Sequence, residues 1–167
     1  MTDKIPGPFV MPPPSRELNR LEPLLGKWTS QAYTEAGVLG PAAPVVSTEE
    51  FYWLDGGYFL VQTYETSFGT EPAQKGINYW FYDAEARKFR IIFFSNNGPF
   101  TEDGNRYEGE IVDGTLTFTG PARFQYDLDG AGKIKGNDDG TMTIRWWLRD
   151  DSEEFRPWMT NTFRRIK

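Results

Sequence analysis

The side chains through which this chain could do chemistry are carboxylates, phenols, lysine amines and guanidinium groups, because the sequence contains neither histidine nor cysteine. Ser-His-Asp and Cys-His catalytic sets are therefore excluded, as are cysteine-type zinc sites. The commonest general base and the usual haem ligand are missing too. An enzyme made from what remains would use a carboxylate whose pKa burial has raised, with Glu50 and Glu65 as examples within expected strands. A tyrosine paired with an arginine could polarise a carbonyl. The sequence singles out no catalytic residue, and no cofactor is expected.

Metal and phosphate chemistry find little support. Asp127-Leu128-Asp129-Gly130-Ala131-Gly132, with Asp138, has part of a calcium-loop spacing, but Ala131 stands at a ligand position and no helices are expected beside it. Asp-Gly hairpin turns explain it better, and no metal site is assigned. Gly56-Gly57 lacks the third glycine and the following helix of a phosphate loop. A net charge of -6 with sparse Lys and Arg argues against nucleic acid. No apolar run approaches the ~20 residues of a membrane helix. Asp3, Lys4 and Pro6 stand where a secretory leader needs an apolar core, so a cytoplasmic location is expected.

Aromatic residues make up 16% of the chain; core filling accounts for most of them, and the wall of a ligand pocket, which large flat side chains also suit, needs only a few. The elements that must position them are strands. Asp-Gly pairs at 55–56, 103–104, 113–114, 129–130 and 139–140 suit tight hairpin turns. Between the turns, strands are expected at 27–36, 45–54, 58–67, 75–82, 88–96, 105–112, 115–120, 122–128, 132–137, 141–149 and 155–166. No helical pattern separates them, so a parallel sheet is not expected. Residues 1–14 form a proline-rich arm, and 15–167 a single domain. Ser15 is a helix N-cap, followed by Leu18, Leu21, Leu24 and Leu25 at helical spacing, with Pro23 forcing a tighter turn. An antiparallel meander of about ten strands loses its unpaired edges if it closes into an up-and-down barrel, which can hold one small ligand. A two-sheet sandwich is the alternative.

Gly26-Lys27-Trp28 after a short helix resembles the opening of the lipocalin and calycin barrels. Trp53 to Leu60, Gly76 to Asp83 and Phe89 to Gly98 follow in an order similar to an uncharacterised bacterial lipocalin-like family, a domain of unknown function. The nitrobindin barrels are more distantly similar. The resemblance implies an all-β, single antiparallel lipocalin-like barrel of about ten strands with a short N-terminal helix. It also implies that Trp28 plugs the closed end beneath Arg164 or Arg165. Nitrobindins hold haem through histidine, so haem does not carry over.

The expected function is binding of a small, largely apolar or aromatic molecule, such as a fatty acid or an aromatic metabolite, in the barrel cavity. The alternative is a cofactor-free isomerase, cyclase or lyase using the same cavity. Candidate ligand-binding residues are Trp53, Tyr64, Tyr79, Phe93, Tyr126, Arg145, Trp147 and Trp158. If the hairpin at 83–87 pairs residue 82 with 88, Ile77, Tyr79, Phe81, Phe89, Ile91 and Phe93 share the more apolar face and form the lumen. The opposite face would bring Arg90 and Asn78 inside. Arg145 and Arg149 are expected in solvent, although Arg145 beside Trp147 could instead grip an anionic group from within. The arm could dock on a second copy, giving a homodimer.

Overall fold

The computed structural model describes residues 12–37, 40–101 and 104–166. The sequence-expected arm falls mostly outside them; within them, Pro12 accepts a hydrogen bond from the Tyr58 hydroxyl. Ten antiparallel strands follow one N-terminal 3-10 helix, Arg16–Leu24. They are β1 (Gly26–Tyr33), β2 (Pro44–Trp53), β3 (Leu60–Phe68), β4 (Gln74–Asp83), β5 (Lys88–Ser95), β6 (Arg106–Val112), β7 (Thr115–Thr119), β8 (Ala122–Asp127), β9 (Met142–Arg149) and β10 (Phe155–Arg165). Each strand pairs with its neighbours in sequence, and β1 pairs with β10, so the sheet closes into an up-and-down barrel. Closure rests on three pairs, Trp28 with Arg165, Thr29 with Arg164 and Ser30 with Phe163. It satisfies backbone groups that an open sheet would leave unpaired.

Local chemistry accounts for the hairpins. At Asp113-Gly114 both residues have positive φ, 48° and 74°, which joins β6 to β7 by the two-residue turn expected of this dipeptide. The β4–β5 hairpin corrects the expected register. Asp83 pairs with Lys88 and Tyr82 with Phe89, so the loop is one residue shorter than expected. Arg87 takes φ 55° and Asp83 Oδ1 accepts the Ala86 N–H at 2.9 Å. Side chains alternate faces, so this single step sets Phe89, Ile91 and Phe93 beside Asn78, Trp80 and Tyr82 rather than beside Tyr79.

One expected strand is not formed. Residues 132–137 make only an isolated bridge, Leu128 to Ile134, and pack under the helix instead. The Ile134 N–H donates to Arg20 O at 2.9 Å and Arg20 Nη1 donates to Gly132 O at 2.7 Å. The helix is 3-10 throughout, with Ser15 Oγ accepting from Glu17 N. Its Leu18, Leu21 and Leu24 are buried in the end of the barrel, against a core that includes Trp28, Phe51, Phe89 and Leu116. Burying each leucine contributes roughly 1.5–3 kcal/mol. Trp28 Nε1 donates to Leu24 O at 2.6 Å, and the Arg165 guanidinium lies 4.2 Å over the Trp28 ring while donating to Leu25 O. This pair locks the helical plug to the first and last strands, with Arg165 rather than Arg164 in contact with the tryptophan.

Candidate functional site

The plug fills only one end. Above it lies a cavity of about 340 Å³ inside the barrel, at the small end of the ~300–1,000 Å³ typical of ligand pockets. Its lining divides into two walls. The aromatic wall runs through Trp80 on β4, Phe93 on β5, Tyr107 on β6, Phe124 and Tyr126 on β8 and Trp146 on β9. Trp80 packs edge-on against Phe118, Phe124 and Tyr126 with ring centroids 5.0–6.4 Å apart, which fixes it as a rigid floor. A bulge in β10 between Pro157 and Met159 lets two consecutive residues, Trp158 and Met159, turn inward. Trp158 stacks on Phe68 at 5.6 Å.

The polar wall follows β10, β2, β3 and β4. Its central chain has a fixed direction. Trp80 Nε1, which can only donate, bonds Gln62 Oε1 at 3.0 Å, and Asn78 Nδ2 bonds the same oxygen at 2.7 Å. Gln62 must therefore turn its amide nitrogen the other way, and Nε2 donates to Glu49 Oε2 at 2.9 Å. Glu49 Oε1 has no hydrogen-bond donor among the described residues. The carboxyl group sits deep among apolar side chains, yet the cavity itself reaches it, so the residue keeps partial exposure. Burial, only partly offset by the Gln62 hydrogen bond, pushes its pKa up to about 7. Burial likewise raises Tyr64 and Tyr126, each further raised by the nearby Glu49 charge, and raises Tyr107 to about 12, so all three phenols stay protonated. Asn78 Oδ1, Asn161 Oδ1 and Trp158 Nε1 are buried without a partner among the described residues, on residues that line this same cavity. Among the described residues, neither lysine nor arginine lines it.

Four of the eight sequence candidates, Tyr64, Phe93, Tyr126 and Trp158, lie on the cavity wall. The other four lie elsewhere. Tyr79 points outward, edge-on to Phe59 and Phe94, because the β4–β5 register gives its inward place to Trp80. Trp147 and Arg145 occupy the outer face of β9, whose inward residues are Met142, Ile144, Trp146 and Leu148. Arg145 is paired with Asp127 at 2.5 Å there, which accounts for its charge without a lumen anion. Trp53 packs against the core cluster at the plugged end. Arg90 is also outside, between Asp83 and Glu108. Among the carboxylates, Glu50 and Glu65 are on the outer surface with Lys27 and Lys75, at 3.8 and 3.0 Å. The inward acid is Glu49, which sequence reasoning missed because both faces of β2 mix polar and apolar residues. Asp129 Oδ1 accepts the Ala131 and Lys133 N–H groups, as a turn residue does. No cluster of potential metal ligands occurs among the described residues, and no helix among them is long and apolar enough to cross a membrane.

A closed ten-stranded antiparallel barrel, plugged at one end and hollow above, defines the class of this protein. Residues 13–165 match the family model described as protein of unknown function DUF1579, and the chain belongs to that family. No curated protein matches it. The crystal structure of Rv2717c from M. tuberculosis is similar over 92% of this chain and 99% of that one, with a TM-score of 0.56 and 13% identity, a likeness of fold alone. A protein of unknown function from the DUF3598 family of Nostoc punctiforme PCC 73102 aligns with 87% of this chain and 48% of its own, at 18% identity and a TM-score of 0.37.

Proposed function

We propose that this protein binds a small molecule with a mostly apolar or aromatic body inside the barrel, in the manner of lipocalin-like carriers. One observation carries the reading: a pocket of about 340 Å³ combines a rigid aromatic wall with one carboxyl group, Glu49, whose second oxygen has no donor among the described residues. Tyr64, Phe93, Tyr126 and Trp158 contact the guest in this reading, together with Trp80, Trp146, Asn78 and Asn161.

Native mass spectrometry of the freshly purified chain tests this directly. A retained small-molecule adduct, lost when Trp146 or Trp158 is changed to alanine with the fold intact, is the expected result. A cavity that takes up no apolar probe at millimolar concentration, with no adduct in the spectrum, would sink the proposal.

Glu49 favours a second reading, a cofactor-free proton-transfer enzyme. A carboxyl group poised near neutrality beside an open cavity suits a general acid–base. Its test is conversion of the co-purified molecule on incubation, abolished in Glu49→Gln; unchanged mass and structure of that molecule count against it.

A further inference from the structure

We infer that the cavity selects a small aromatic or apolar amine, binding its ammonium group at Glu49 and its body against the ring wall; this rests on the ligand-binding reading above. Charge balance carries the choice. Among the described residues, Glu49 is the only carboxylate lining the cavity, and no lysine or arginine lines it to act as a counter-ion. A buried carboxylate without a partner is a destabilised charge, and a cationic guest is the group that neutralises it. A carboxylate guest would meet the opposite situation, a second negative charge with no cation to hold it.

Hydrogen-bond direction supports the same guest. Because the Trp80 N–H fixes Gln62, Glu49 Oε2 is already occupied and Oε1 is the acceptor left over. Asn78 Oδ1 is a further acceptor, and Trp158 Nε1 a donor, without a partner among the described residues on the same wall, both enclosed rather than open to the cavity. The open acceptor at Glu49 calls for a donating guest, and an ammonium group offers three N–H donors without an acceptor. Tyr126, within electrostatic reach of Glu49, belongs to the ring wall that would also stabilise a cation.

The groups facing Glu49 are Trp28 on β1, Gln62 and Tyr64 on β3, Tyr126 on β8 and the apolar Ile144 and Phe163 on β9 and β10. Both phenols stay neutral, so Glu49 is the group that titrates near pH 7. Binding of ammonium requires the ionised carboxylate. Lowering the pH from 7.5 to 5.5 cuts the ionised fraction, and hence the apparent affinity, by about 25-fold for a pKa of about 7.

The experiment uses phenethylamine, phenethyl alcohol and hydrocinnamate, which share one skeleton and differ in head-group charge. Binding to the full chain is followed by calorimetry and tryptophan fluorescence at pH 7.5 and 5.5, in wild type and Glu49→Gln. The amine should bind at least tenfold tighter than the alcohol at pH 7.5, lose about 25-fold at pH 5.5, and lose its advantage in Glu49→Gln; hydrocinnamate should bind weakest. Alcohol or hydrocinnamate binding as tightly as the amine, with no pH effect on the amine, overturns the amine assignment and leaves the cavity-binding reading standing. Failure of all three probes at millimolar concentration overturns both. If Glu49→Gln does not fold, the wild-type pH comparison decides alone.

Discussion

Replacing Glu49 by glutamine should make the protein more stable at neutral pH, although it removes a hydrogen-bonded residue from the interior. The carboxyl pKa is about 7 in the folded barrel against an ordinary value of 4.5. The folded state therefore holds more protons than the unfolded state between those values. Stability must fall as pH rises through the window from about 4.5 to 7, and stay level above it. At 1.36 kcal/mol per pKa unit the ionised carboxylate costs about 3 kcal/mol above pH 7, an upper figure because the side chain borders the cavity. Glutamine does not titrate, and its side-chain oxygen still accepts the Gln62 N–H. Urea unfolding followed by tryptophan fluorescence from pH 4.5 to 8 should show Glu49→Gln overtaking wild type as pH rises. With m near 1–3 kcal/mol/M, the midpoint separation at pH 8 is on the order of 1–3 M. Exposed carboxylates held low by arginine, lysine or turn N–H groups, such as Asp83, Glu108 and Asp127, add a slope of opposite sign at lower pH, but it is common to both proteins. Parallel stability curves for the two proteins across pH 4.5–8 would refute an uncompensated buried carboxyl group.

Trp80→Phe keeps a ring in the floor but removes the N–H that orients Gln62; a loss of about 1–3 kcal/mol by urea titration is expected. Leu21→Ala empties a fully buried position in the helical plug and should cost about 2–5 kcal/mol, seen as a lowered melting temperature. Gly109→Ala would set a Cβ 2.5 Å from the Phe118 ring and 2.8 Å from Phe89 Cβ, so about 1–3 kcal/mol of overpacking should appear in the same melt.

Much of the architecture is written in local chemistry. Asp113-Gly114 dictates a two-residue turn wherever it falls between strands, because both positions need positive φ. Ser15, the three leucines and Gly-Lys-Trp place the plug and the first strand before any tertiary contact is known. Absence of histidine and cysteine restricts the chemistry to carboxylate, phenol, amine and guanidinium groups at any fold. These properties depend on residues adjacent in the chain, and sequence carries them directly.

The inside of the barrel was decided by pairing. In β2 the odd residues Val45, Ser47, Glu49 and Phe51 and the even residues Val46, Thr48, Glu50 and Tyr52 mix polar and apolar types almost equally. Hydrophobic alternation therefore cannot choose between Glu49 and Glu50, and only the neighbouring strands do. The β4–β5 turn is one residue shorter than expected, and that step moved Trp80 inward and Tyr79 outward. The β10 bulge turned Trp158 inward through a break in alternation that no periodic pattern encodes. Closure of β1 on β10 sealed the lumen by contacts more than 130 residues apart in sequence. Strand propensity is set by each segment alone. Which face meets the cavity depends on register across the sheet, and a side-chain period of two makes that choice all or none.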